Sequence, residues 1–183
     1  MIRSPCLKTL GLIGLLCAVG GQALAECADV PAPGVYWRRC LQDGQDLRGV
    51  DLSGATLRDA SFKRTDLSGA DLSGADARRA KFVSTTMHDV DLDQAQLVRA
   101  DLTKADLTGA SLRQADLTSA RLFRADLSNA DLTGARLADA DLLRAVFAGA
   151  TWIDGKTICA ESSIGQCHPA REQPAVSDAE PSG

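Results

Sequence analysis

Residues 45–74 read QDLRG VDLSG ATLRD ASFKR TDLSG ADLSG, and the same five-residue beat runs on to ADLLR AVFAG ATWID at residues 140–154. Taking the third residue of each five as its centre, centres fall at every fifth position from Leu47 to Trp152, which makes 22 pentads. Sixteen centres are Leu, and the others are Phe62, Ala77, Phe82, Met87, Phe147 and Trp152. Two residues before the centre, 17 of the 22 positions are Ala. An α-helix repeats its buried face every 3.6 residues and a strand every 2.0, so a period of five fits neither. A chain that turns one corner per pentad does bring every centre to a common axis. Self-similarity at a fixed period is the mark of a stacked architecture.

The other positions agree. The residue before the centre is Asp in 12 pentads, a type suited to hydrogen bonding with backbone at corners. Gly49, Gly54, Gly69, Gly74, Gly109, Gly134, Gly149 and Asn129 follow their centres by two. Gly and Asn tolerate the positive φ that tight corners need. Each pentad thus has one large and one small inward residue and three outward polar ones.

The A-[D/N]-L-x-x beat, unbroken over residues 45–154, resembles the pentapeptide-repeat proteins. The resemblance implies an all-β fold, a right-handed quadrilateral β-helix with four pentads per coil. On that reading the pentads make about 5.5 coils and a rod about 26 Å long at ~4.8 Å per coil. Residues 20 apart would stack. One inner column then holds Phe62, Phe82 and Leu102, and the column before it holds Leu57, Ala77 and Leu97. Phe62 and Phe82 would fill the volume that Ala77 leaves, since cores tolerate changes that conserve volume.

Residues 1–25 read as a secretory signal peptide: Arg3 and Lys8, then an apolar run from Leu10 to Gly20, then Ala23-Leu24-Ala25 as the cleavage site. The run is too short to span a bilayer. A periplasmic or secreted location is therefore expected, with no stable membrane insertion after cleavage behind Ala25. Losing Arg3 and Lys8 takes the formal charge from −4 to −6, which favours solubility without naming a partner. Residues 26–44 are expected to cap the first coil, with Tyr36 or Trp37 laid over it, because a solenoid end exposes core and strand edge. Residues 155–167 are expected to cap the other end, with Trp152 as lid, and residues 168–183 to be disordered. Between Thr85 and Asp93 the beat weakens, and this stretch reads as a degenerate repeat in register, or as a bulge presenting His88.

Cleavage leaves Cys27, Cys40, Cys159 and Cys167, two before the pentads and two after. An oxidising compartment makes disulfides the expectation, and four Cys allow three connectivities. In the rod implied by the resemblance, the ends lie too far apart for crossed pairing, since bridged Cα atoms lie within about 7 Å. That leaves Cys27–Cys40 and Cys159–Cys167, each stapling one cap. The spacings do not fit usual structural zinc sites.

No nucleophile–base pair, phosphate loop or zinc-protease motif is present, so neither enzyme chemistry nor a cofactor is expected. His88 and His168 are the two His of the chain and nothing in their spacing joins them. In the implied stack, Arg64, Ser84, Lys104, Arg124 and Arg144 form a basic ladder beside an acidic one of Asp66, Thr86, Asp106 and Asp126. Phe123 and Leu143 would point outward, rimmed by Arg124 and Arg144, and make a candidate partner patch. The reading is a structural or protein-interaction module of the cell envelope with an unidentified protein partner. The alternative is a DNA-mimicking inhibitor or protector of a topoisomerase-type target. Residues 45–154 hold 17 Asp against 14 Lys and Arg, too balanced for a duplex mimic. No nucleic-acid partner is expected. A stapled C-terminal cap favours a monomer over a dimer.

Overall fold

The computed structural model describes residues 26–170. The segments read as signal peptide and as most of the tail, 1–25 and 171–183, lie outside the described residues.

Each pentad ends in one corner. The carbonyl of the centre accepts the N–H three residues on, as in Ala55 N–H to Leu52 O at 3.0 Å, and the residue between carries positive φ, as Gly54 does at 62°. A bonded four-residue turn with positive φ at its third position is a type II turn. The corner recurs at every fifth residue from Gly34 to Gly149, and 15 of these residues are not Gly. Their φ values of 52° to 61° lie in the left-handed region, reached by Arg, Asp, Ser, Gln and Lys as well as Asn. The stack therefore holds many residues in a conformation that costs L-residues roughly 1–2 kcal/mol.

Between corners the chain is extended for one bridge residue per face. Bridges are parallel and join residues 20 apart, from Tyr36↔Thr56 to Asp131↔Thr151. Four pentads therefore make one coil with four faces. We number the faces by their centres: first, Leu47 to Phe147; second, Leu52 to Trp152; third, Trp37 to Leu137; fourth, Gln42 to Leu142. There are no continuous strands among the described residues, because a corner every five residues leaves no room for one. Centres and preceding Ala residues point inward, and from Leu52 to Leu132 every centre is fully buried.

The corner geometry begins before the A-D-L pattern does. Trp37 is a buried centre, Val35 and Cys40 hold the small inward position, and Tyr36 and Leu41 make coil bridges. Residues 35–44 are thus the first two pentads, with different residue types filling the same roles. Trp37 does not lie over the coil. It lies within one, its ring 6.4 Å from Phe62, which stacks on Phe82 at 5.2 Å and 7°. Ala77, the small centre on the third face, is fully buried.

The weak stretch stays in register, with bridges Asp66↔Thr86 and Thr86↔Asp106. The Thr85 hydroxyl is buried and donates to Phe62 O at 2.7 Å. Where Ala is replaced, the corner loosens: Thr85 N–H to Phe82 O and Val90 N–H to Met87 O are both 3.4 Å, against about 3.0 Å at Ala corners.

Both disulfides form as the rod geometry requires. Cys27, in the short 3-10 turn Glu26–Ala28, joins Cys40, and Cys159 joins Cys167. Past Asp154 the beat slips by one residue: Gly155 takes the positive φ, and the Asp154 carboxylate accepts the N–H groups of Lys156 and Thr157. The chain then folds back antiparallel, Ile158 on Thr151 and Ile164 on Val146. This order continues past Cys167, where the sequence reading began the tail: Cys159 bridges Pro169, and Ala170 N–H donates to Ile158 O at 2.8 Å. Trp152 is half-buried, edge-on to Phe147 at 5.3 Å. Among the described residues no helix is long and apolar enough to cross a membrane.

Candidate interaction surface

The outward positions carry the chemistry. On the first and second faces the residue before the centre is Asp in eight of twelve pentads, and the residue after it is Ser or Thr in six of twelve. One carboxylate oxygen then accepts both the hydroxyl and the N–H of the residue two on: for Asp66, Ser68 Oγ at 2.6 Å and N–H at 3.0 Å; for Asp126, Ser128 at 2.6 and 2.9 Å. These bonds favour the ionised form, and the Ser68 hydroxyl, then its N–H, hold Asp66 below the usual carboxylate value. The Ser53 hydroxyl and N–H do the same for Asp51.

Sorting residues 35–154 by face separates the charges. The first and second faces carry 11 Asp against Arg48 and Arg113, a balance of −9. The third and fourth carry 14 Lys and Arg against 7 Asp, a balance of +7. The near-neutral total thus hides an acidic half and a basic half, each two adjacent faces wide. Linear reading missed this division. Folding the sequence at a period of 20 would have shown it.

Within the basic half the two faces differ. On the third face four of the seven guanidinium groups are paired: Arg78 with Asp76 at 2.8 Å, Arg79 with Asp59 at 2.8 Å, Arg136 with Asp116 at 3.7 Å, and Arg58 with Asp76. On the fourth, Arg121 meets Asp101 at 3.4 Å, while Lys63, Arg64, Lys81, Lys104, Arg124 and Arg144 form no salt bridge among the described residues. Running up this face one residue after the centres are Asp43, Lys63, Val83, Thr103, Phe123 and Leu143, so the apolar pair Phe123 and Leu143 is separated from Val83 by Thr103. Leu143 is 62% exposed; Phe123 is half-buried, with the Arg124 guanidinium 5.3 Å from its ring centroid. The structure therefore brings Phe123, Leu143, Arg124 and Arg144 together on one face, one coil apart. The acidic column beside them is stacked too, through Asp66↔Thr86, Thr86↔Asp106 and Asp106↔Asp126.

His88 lies on the first face with Nε2 3.2 Å from Asp106 one coil up, and His168 lies in the C-terminal cap, bonded to Gln166. Among the described residues no group of three or more His, Cys, Asp or Glu could hold a metal ion.

Corner, coil and column together match a known family. The family model described as pentapeptide repeats matches eight copies, over residues 46–82, 85–124 and 125–151. The chain belongs to the pentapeptide repeat family. Pentapeptide repeat proteins of known structure imply that the four-sided stack is a right-handed quadrilateral β-helix. HetL, a pentapeptide repeat protein involved in heterocyst differentiation regulation in the cyanobacterium Nostoc, is 33% identical with a TM-score of 0.60. That match covers 68% of this chain and 62% of HetL, so the chain spans less than two thirds of that relative. A pentapeptide repeat protein of the Arabidopsis thaliana thylakoid lumen is 28% identical, covering 68% and 84% of the two chains, at a TM-score of 0.42. QnrB1, a plasmid-mediated fluoroquinolone resistance protein, is 24% identical, covering 64% and 65%, at a TM-score of 0.49. No curated protein matches this chain.

Proposed function

We propose that this pentapeptide repeat protein is an exported, non-enzymatic rod of the cell envelope that binds an acidic protein partner through its fourth face. The observation that carries this reading is the set of cations without a salt bridge among the described residues, around the outward apolar pair Phe123 and Leu143. Arg and aromatic residues are enriched at interfaces, and basic groups without a carboxylate partner among the described residues are free to pair across an interface. The leader-like residues 1–25 and the two disulfides support export. The test is crosslinking capture from native periplasm and medium, comparing wild type with F123D/L143D, with circular dichroism confirming that the variant folds. The reading expects a protein captured by wild type at low salt and lost in the variant. Capture of nothing by either form would sink it.

The acidic half favours a second reading, a duplex mimic acting on a topoisomerase-type target, because the Asp residues are concentrated on two faces instead of spread round the rod. Supercoiling assays with a purified type II topoisomerase distinguish the two. Inhibition that disappears in D66N/D106N/D126N supports mimicry, and no effect at micromolar protein removes it.

A further inference from the structure

The acidic and basic halves meet at two corners of the rod, and the corner between the fourth and first faces is unlike the other three. Up that corner run Arg64, Ser84, Lys104 and Arg124, each at positive φ. Two residues on, past the small inward residue, run Asp66, Thr86, Asp106 and Asp126. Both columns climb one coil per step: Arg64 N–H donates to Val83 O, the carbonyl just before Ser84, and Asp66 bridges Thr86. The two ladders therefore match rung for rung, and their neutral rungs, Ser84 and Thr86, fall in the same coil. At the other corners no column of one sign stands beside a column of the other.

Backbone conformation does not ask for these cations. Gly takes four of the six equivalent corners on the first face, where it meets the positive φ without strain. After Gly44 the fourth face has no Gly at its corners. Nor are the cations neutralised locally. Arg64, Lys104, Arg124 and Asp126 form no salt bridge among the described residues, while Asp66 meets Arg48 at 3.8 Å and Asp106 meets His88 at 3.2 Å. The Asp66 and Asp106 side chains stay 39% and 42% exposed.

We propose that the acidic partner of the fourth face is a second copy of this chain, set corner to corner in a parallel dimer; this rests on the reading of that face as a binding surface. Symmetry selects the arrangement. A twofold axis parallel to the rod swaps the two ladders across the contact and keeps every coil at its own height. Arg64 then faces Asp66 of the second copy, Lys104 faces Asp106, Arg124 faces Asp126, and Ser84 faces Thr86. The symmetry makes each of the three charged rungs twice. A twofold axis across the rod would instead set the cation ladder against itself, which repulsion excludes. Because the contact is isologous, it closes at two copies and builds no filament. Above the charged rungs the corner turns apolar: Val146 takes the Asp position, and Leu143 comes level with Ala148 of the second copy. The contact lies along the side of the rod, not at its stapled end. Exposed ion pairs are weak and screened by salt, so the dimer is weak and salt-sensitive.

The test is sedimentation equilibrium on the purified chain from Glu26 to Gly183. At about 100 µM protein and about 20 mM salt the mean mass is expected to lie above that of one chain, and to fall to one chain at about 0.3 M salt. R64E/K104E/R124E keeps the carboxylates that bond the turns and is expected to be monomeric at both salts. D66K/D106K/D126K is expected to be monomeric alone and to form a dimer when mixed with the first variant, since an all-basic corner then meets an all-acidic one. If circular dichroism shows the Lys variant unfolded, S84C mixed with T86C decides instead: mild oxidation is expected to crosslink the mixture and neither variant alone. A wild type that stays monomeric at low salt overturns the proposal. If native capture then still recovers a different protein, lost in F123D/L143D, the binding reading stands without the dimer; if it recovers nothing, both fall. A dimer that persists in R64E/K104E/R124E also overturns the proposal, because its contact lies elsewhere.

Discussion

At the level of single residues, the pentad assigns each position one job, and the cost of a change follows from the job. Leu97 is a fully buried centre, so Leu97→Ala should lower stability by about 2–5 kcal/mol in urea unfolding. Trp37 is different. Its Nε1 is buried without a hydrogen-bond partner, and a buried unpaired donor costs roughly 1–3 kcal/mol. Trp37→Phe should therefore stay within about 1 kcal/mol of wild type, while Trp37→Ala should cost about 3–5 kcal/mol. The Asp residues set the response to acid. Hydroxyl and N–H donors hold Asp51, Asp66 and Asp116 below their ordinary value of 3.8. A group with a depressed folded pKa contributes stability above its unfolded pKa and loses it as pH falls through the folded value. The melting temperature should be nearly flat from about pH 8 to pH 5 and fall below about pH 4. Asp66→Asn should make that acid limb shallower, as read by calorimetry across pH.

At the level of elements, the two ends are built differently. The N-terminal bridge joins Cys40, the inward small residue of a coil, to a short 3-10 turn. The C-terminal bridge closes the fold-back that pairs with the last coil. Breaking either should cost about 2–4 kcal/mol on loop entropy. Cys159→Ser/Cys167→Ser should unzip the fold-back first, so the amides of Phe147, Gly149 and Trp152, which donate into it, lose exchange protection before those of Leu97 or Leu102. Loss at all of these amides together would mean that the cap and the rod unfold as one unit.

At the level of the whole molecule, the partition of charge has a measurable consequence. The chain has a sequence pI of about 5.1, and at pH 7 a uniformly acidic surface would be excluded from a cation exchanger. A rod with a basic half should be retarded at low salt and released within moderate ionic strength, since exposed charges are screened beyond about 10 Å at 0.1 M. R64E/K104E/R124E should abolish the retardation without changing the circular dichroism. Equal elution of the two forms would mean that the basic half does not act as a unit.

The linear chain announces a stack through the five-residue period, since neither helix nor strand can bury Leu at that spacing. It also contains the disulfide partners once the rod has two distant ends. The wider limits of the coil were not legible, because VYWRR and CLQDG fill the same positions with other residue types, and only the backbone shows that Trp37 and Cys40 play centre and inward neighbour. The candidate patch of Phe123, Leu143, Arg124 and Arg144 was visible as a column, but the partition of acid from base was not. That partition depends on which residues share a face, and a face gathers residues 20 apart. Local chemistry in each pentad determined the corner and the core. Tertiary stacking decided which side of the rod is acidic and which is basic.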